Sequence, residues 1–204
     1  MTDFSLIVIG AHIGIHIKKE VENFQNEKIL LIEPVPHNVS VIKKNLSEFS
    51  NIIIEQIAVG SKKELRDFYF VKEQSIGKLK KHWASGIGSF NKDHILNHKS
   101  KRFNVEEIDI QKISTPCLRF ADLIEKYSIN SIRKLLIDVE GSEYEILKDI
   151  DLSKTNIKNI IFEYKHFDGY FKQGDKLNEI TQKLENNNYK IIKLDDENIL
   201  AEKY

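Results

Sequence analysis

Apolar residues in this chain come in short runs, separated by stretches where they recur every third or fourth position. Ser5 to Ile9 is a β-rich apolar run with the length of a buried strand. Beyond it, Ile13, Ile17, Val21 and Phe24 recur at helical spacing. Lys28 to Ile32 predicts a second strand ended by Glu33-Pro34, and Val39, Ile42, Leu46 and Phe49 mark the next helix. Ile52 to Val59 predicts a third strand. Such alternation with short links argues for right-handed βαβ units and a parallel sheet.

The middle of the chain differs. Glu64 to Val71 and Arg102 to Ile113 alternate apolar and polar residues, as half-buried strands do. Between them, Lys72 to Lys101 is polar and without clear period, and it holds Trp83 and the run Ser85-Gly86-Ile87-Gly88-Ser89. A segment of that kind is either functional or disordered. The expectation is that it lies over the carboxyl end of the sheet, with Trp83 offering a stacking face to an acceptor. Thr115-Pro116 predicts a helix start, with Phe120, Leu123, Ile124 and Tyr127 as its buried face. Leu135 to Val139 suits a buried strand, and Tyr144, Leu147 and Ile150 lie on one face of a following helix. Asn159 to Tyr164 predicts a strand, then Leu177, Ile180 and Leu184 a helix. Tyr189 to Leu194 and Ile199 to Tyr204 close the chain as two strands around Asp195-Asp196-Glu197-Asn198.

Composition narrows the class. The 204 residues are 41% hydrophobic, enough to bury a core without staples. Lys plus Arg equals Asp plus Glu at 31 each, so charge gives no argument for nucleic acid or an anionic membrane. A single cysteine, Cys117, permits no intrachain disulfide and fits a reducing compartment. The apolar start is too short to span a membrane, and Asp3, His12 and His16 spoil it as a leader. The expectation is a soluble, cytoplasmic protein. His12 and His16, like His94 and His98, stand four apart, a spacing that can bind a metal on a helix. Neither pair has a third ligand nearby, so ordinary polar surface is the reading and no metal is expected.

Two loops carry a joint chemical meaning. Gly10 and Gly14 surround a strand-to-helix turn where a ligand can approach the backbone. Glu33, at the end of the next strand, is placed to take both hydroxyls of a ribose. Together they point to a nucleoside-bearing cofactor. A dinucleotide's pyrophosphate asks for a glycine where this chain has His12, whereas S-adenosylmethionine does not. A third loop, Asp138-Val139-Glu140-Gly141, sets two carboxylates at a strand's carboxyl end, the rim where α/β sheets bind ligands. The alternative is that one of them merely caps the following helix.

The strings Ile9-Gly10-Ala11-His12-Ile13-Gly14, Ile32-Glu33-Pro34-Val35-Pro36-His37-Asn38 and Ile137-Asp138-Val139-Glu140-Gly141-Ser142-Glu143 resemble the FkbM family of S-adenosylmethionine-dependent methyltransferases. Ala58-Val59-Gly60 and Ser85 to Ser89 also look like family features. The resemblance implies an α/β class I methyltransferase (Rossmann-like) fold. Its seven-stranded sheet is mostly parallel, its last strand antiparallel, with an insertion before the fourth strand. The expected organisation is a single domain over residues 1–204 with an inserted segment at about 64–113. It further implies cofactor contacts from Gly10, Ala11, His12, Ile13, Gly14, Glu33, Pro34, Ala58 and Asp138. Two departures from the family pattern stand out, the first bearing on cofactor affinity and the second on how the site is covered. Val8 stands where the family usually has an aspartate, and the sequence starts almost at the first strand.

The function expected is methyl transfer to an oxygen nucleophile, the acceptor being a sugar or other small hydroxyl-bearing molecule. Asp138 and Glu140 are the catalytic candidates, Asp138 for positioning and Glu140 as base, with Glu163 and His166 behind them. The alternatives are a binding-only domain that kept the fold, and a nicotinamide-dependent oxidoreductase, against which His12 counts. No residue pattern sets an oligomeric state.

Overall fold

The computed structural model describes residues 2–79, 82–97, 104–165, 167 and 174–204, the side chains of His82 and Trp83 excepted. Its main sheet has seven strands: β1 (Thr2–Ile9), β2 (Ile29–Ile32), β3 (Ile52–Glu55), β8 (Ile129–Ile137), β9 (Asn156–Glu163), β10 (Tyr189–Lys193) and β11 (Asn198–Lys203). Their order is β3-β2-β1-β8-β9-β11-β10, all parallel except β11, which runs against both its neighbours. This is the class I methyltransferase arrangement that the resemblance implied.

Strand periodicity divides the core into two layers, because successive side chains point to opposite faces. Ile7 and Ile9 of β1, with Leu135 and Ile137 of β8, pack under α5 (Phe120–Tyr127), α6 (Glu143–Asp149) and α7 (Gly174–Glu185). Leu6 and Val8 face the other way, against α1 (Lys18–Asn23) and α2 (Pro36–Asn45) through Ile17, Val21, Ile42 and Leu46. Burial on both faces at the carboxyl ends of these central strands explains why Leu6–Ile9 of β1 and Leu135–Ile137 of β8 read as continuous apolar runs. The closing hairpin turns on Asp195, whose Oδ1 accepts the backbone N–H groups of Glu197 and Asn198, both at 2.7 Å.

A second sheet, of four strands, covers the carboxyl end of the first. It is ordered β4 (Ala58–Val59), β7 (Ile110–Leu118), β5 (Glu64–Val71), β6 (Gly88–Ser89). Here the structure corrects the sequence reading. The expected strand from Ile52 to Val59 is two strands in two sheets, since the chain leaves the main sheet after Glu55 and Ile57 turns into the core. Residues expected to start a helix at Thr115-Pro116 instead extend β7, which pairs with β5 from Ile110 to Cys117. Pro116 is tolerated because β4 reaches only Cys117 and Leu118, leaving that side of the proline uncovered. The helix starts at Phe120, where Asp122 Oδ2 accepts the Arg119 N–H at 2.9 Å.

Other boundaries shift for local reasons. The first helix starts at Lys18 rather than near Ile13, because tight turns close the backbone from Gly14 N–H to Ala11 and from Lys18 N–H to Ile15. β8 ends at Ile137, two residues before the expected Val139. Within Lys72 to Lys101, the described residues form α3 (Glu73–Leu79), a 3-10 turn (His82–Gly86), β6 and α4 (Lys92–Asn97), burying Ala84, Ile87 and Ile95. Among the described residues no helix is long and apolar enough to cross a membrane.

Candidate active site

The turn after β1 is shaped by close backbone approach. Gly10 has φ +90°, and a β-carbon there would stand 1.7 Å from the Asp138 carbonyl oxygen. Asp138 N–H in turn donates to Ile9 O at 2.9 Å, so the β1 and β8 ends are tied together. The glycine demand at position 10 therefore comes first from a neighbouring strand.

Glu33 directly follows β2 and holds this turn from the other side. It is 5% exposed. Its Oε2 accepts the His12 N–H at 2.9 Å, while Oε1 accepts the Val35 N–H at 3.0 Å and Asn38 Nδ2 at 3.1 Å. Burial pushes the Glu33 carboxyl up to about 7, with these three hydrogen bonds pulling the other way. A carboxylate has about four acceptor positions, and three are taken within the protein.

At the end of β8 the chain makes a strained turn. Glu140 takes φ 56°, a left-handed value that is uncommon for a residue with a β-carbon. Glu143, at the start of α6, closes the turn: its Oε1 accepts the Val139 N–H at 2.7 Å and its Oε2 the Gly141 N–H at 2.9 Å. Burial holds the Glu143 carboxyl well above the usual range. Glu143 thereby braces the turn that precedes α6, and that helix has no side-chain cap at its N-terminus. Carboxylate oxygens of Asp138, Glu143 and Glu163 come within 4.8 Å of one another. Those of Glu143 are already engaged by backbone, which makes it a turn anchor rather than a ready metal ligand.

The second sheet closes over both turns. His12 Nε2 lies 2.5 Å from Ser85 Oγ, and the imidazole rests against Gly86, where a β-carbon would be 3.4 Å from the ring. Asn38 Nδ2 also donates to Ser85 O at 2.9 Å. Farther along, Ser89 Oγ donates to the Glu140 carbonyl and His94 Nε2 faces Glu140 Oε2, both at 3.4 Å. His94 is 1% exposed, which corrects the expectation of ordinary polar surface.

Between the sheets is a cavity of about 450 Å³. Of the residues singled out in the sequence, Gly10, His12, Ile13, Glu33, Pro34, Ala58, Asp138 and Glu140 line it. Ala11 and Gly14 do not: Ala11 is wholly buried in the α1–α2 core, and Gly14 packs towards Leu46. Glu163 is buried beside Asp138 and Glu143. His166, His98 and the Trp83 side chain lie outside the described residues. Sequence reasoning missed Phe68 and Phe90, which form an edge-to-face pair on the cavity wall with ring centroids 5.3 Å apart. The only signal for Phe68 was its alternation along β5. Asn38, Glu143 and Ser85 were quoted in motifs without a role.

Known proteins place this arrangement. Over the fold, the chain is similar to a fibrillarin/Nop5p complex structure, with 12% identity, TM-score 0.51, and coverage of 100% of this chain and 73% of that one. It also aligns with precorrin-6y C5,15-methyltransferase from Geobacter metallireducens GS-15, at 13% identity and TM-score 0.48, over 100% and 82% of the two chains. A search of curated protein sequences returned no match. The Methyltransferase FkbM domain matches residues 9–191. With that match across most of its length, the chain belongs to the FkbM family of S-adenosylmethionine-dependent methyltransferases.

Proposed function

We propose that the protein methylates an oxygen nucleophile, a sugar or other small hydroxyl-bearing acceptor, at the cavity between the two sheets. The observation that carries this reading is the convergence there of the Gly10 turn, Glu33 and the Asp138–Glu140 rim. S-adenosylmethionine, bound there, supplies an electrophilic methyl group on a sulfonium. Glu33 has one acceptor position left for a ribose hydroxyl, rather than the pair foreseen from the sequence. Pro34 and Ala58 offer apolar walls, and Asp138 orients cofactor or acceptor. Glu140 would take the proton of the acceptor's hydroxyl as that hydroxyl oxygen gains the methyl group, the bound cofactor leaving as the neutral thioether. Alignment of the reactants supplies most of the acceleration. The base adds about a hundredfold or more.

Val8 bears on the cofactor. It is 1% exposed and packs with Leu6, Ala11 and Leu31, so its side chain serves the core. Gly10, Glu33 and Asp138 line the cavity despite the departure from the family's aspartate.

Calorimetric titration with S-adenosylmethionine, S-adenosylhomocysteine and NAD tests the cofactor, and a panel of hydroxyl-bearing acceptors with methyl-labelled cofactor tests the reaction. Binding of the first two but not NAD, with label on an acceptor oxygen, is the expected result. Binding without transfer to any acceptor oxygen would reject the proposed chemistry.

A further inference from the structure

Glu140 is held by the inserted segment as well as by its own turn. Ser89 of β6 reaches its carbonyl, and His94 of α4 reaches its carboxylate, each at 3.4 Å. The His94 side chain is fully enclosed, whereas that of Glu140 is 21% exposed and lines the cavity. An ionised carboxylate can only accept, so a hydrogen bond between the two places the ring proton on His94 Nε2. Contacts of this kind are commonly long before a substrate is in place and tighten with it. A left-handed residue such as Glu140 persists only where its surroundings hold it.

We propose that His94 is a positioning residue for Glu140: it engages Oε2, so that the other carboxylate oxygen addresses the cavity and the acceptor's proton. The role rests on Glu140 being the proton acceptor of the proposed reaction. His94 itself is too enclosed to touch an acceptor. Among the described residues, the charged groups sharing this rim include Asp138 and Glu143 on the same turn, with Glu163 and Lys165 at the end of β9. The imidazole is contributed by the second sheet's own segment, which would make the insertion part of the acid–base apparatus.

The test uses the full chain labelled with ¹³C at glutamate carboxyl carbons, with the Glu140 signal assigned by its loss in Glu140→Gln. His94→Phe removes the donor and keeps a ring, whereas His94→Gln returns an amide nitrogen near the place of Nε2. The expected result is a shifted Glu140 signal in His94→Phe, return towards the wild-type position in His94→Gln, and unmoved Glu33 signal in both. S-adenosylhomocysteine affinity, measured on the same samples, stays within about twofold, a difference under 0.5 kcal/mol. A Glu140 signal unmoved in His94→Phe, with S-adenosylhomocysteine still bound, overturns the positioning role alone. Failure of the wild-type chain to bind S-adenosylhomocysteine overturns the methyltransferase reading and this role with it. Should His94→Phe not fold, His94→Asn replaces it, since its shorter amide falls short of the carboxylate.

Discussion

The alpha-carbon of Gly10 faces the carbonyl oxygen of Asp138 so closely that a β-carbon would overlap it, at 1.7 Å. Two loops far apart in sequence, one proposed to hold the cofactor and one the acceptor, thereby share a backbone contact. Gly10→Ala must both push that carbonyl away and hold a left-handed alanine. The expected cost is about 3–5 kcal/mol of stability, with loss of S-adenosylhomocysteine binding. Gly77, in α3, meets no atom within 4 Å. Gly77→Ala is expected to stabilise by about 0.5–1 kcal/mol. Chemical unfolding of the two variants checks both signs.

Glu33 makes stability depend on pH. Its folded-state value of about 7 lies above the ordinary 4.5, so between those values the folded chain holds a proton that the unfolded chain releases. Stability from this group is therefore present at low pH, falls as pH rises through the window, and is lost above about 7. At about 1.4 kcal/mol per unit, the difference approaches roughly 3 kcal/mol. Urea unfolding of wild type and Glu33→Gln at pH 5 and 8 isolates it, because contributions of other groups cancel. The wild type is expected to lose more stability than the variant over that interval.

Glu140 and Glu143 separate chemistry from architecture. Glu140→Gln is expected to fold and bind cofactor nearly as wild type, with turnover lowered by about two to four powers of ten. Glu143→Gln sets an amide NH₂ against a backbone N–H, and its expected cost is about 1–3 kcal/mol of stability. Thermal unfolding and methyl transfer, measured on both, check the division of labour. Equal turnover in Glu140→Gln and wild type would return Glu140 to a structural role.

Asn38 links Glu33 to the covering segment. Its amide donates to both Glu33 and Ser85, at 3.1 and 2.9 Å. Asn38→Ala leaves those buried acceptors short of a donor and is expected to cost about 2–3 kcal/mol. Faster hydrogen exchange at the amides of Ala84 to Ser89 is the accompanying signature. Unchanged exchange there would show that the cover is held elsewhere.

The parallel sheet and the three loops proposed for the site were legible in the chain itself. Strand and helix periods are local properties, and a sheet buried on both faces writes continuous apolar runs at Leu6–Ile9, Ile29–Ile32 and Leu135–Ile137. Glu33 and the Asp138–Glu140 pair were legible for a related reason, since a polar residue ending such a run falls at the sheet's rim. The second sheet was not. Ile52 to Val59 reads as one strand because nothing local distinguishes pairing with β2 from pairing with β7, and Pro116 reads as a helix start until β5 is beside it. Gly10 reads as a cofactor glycine, yet its first constraint is a carbonyl 128 residues further on, at Asp138. His94 reads as surface, and only the folding of α4 against the Glu140 turn encloses it. Periodicity records which face of an element is buried, whereas contacts between distant segments exist only once packing brings them together.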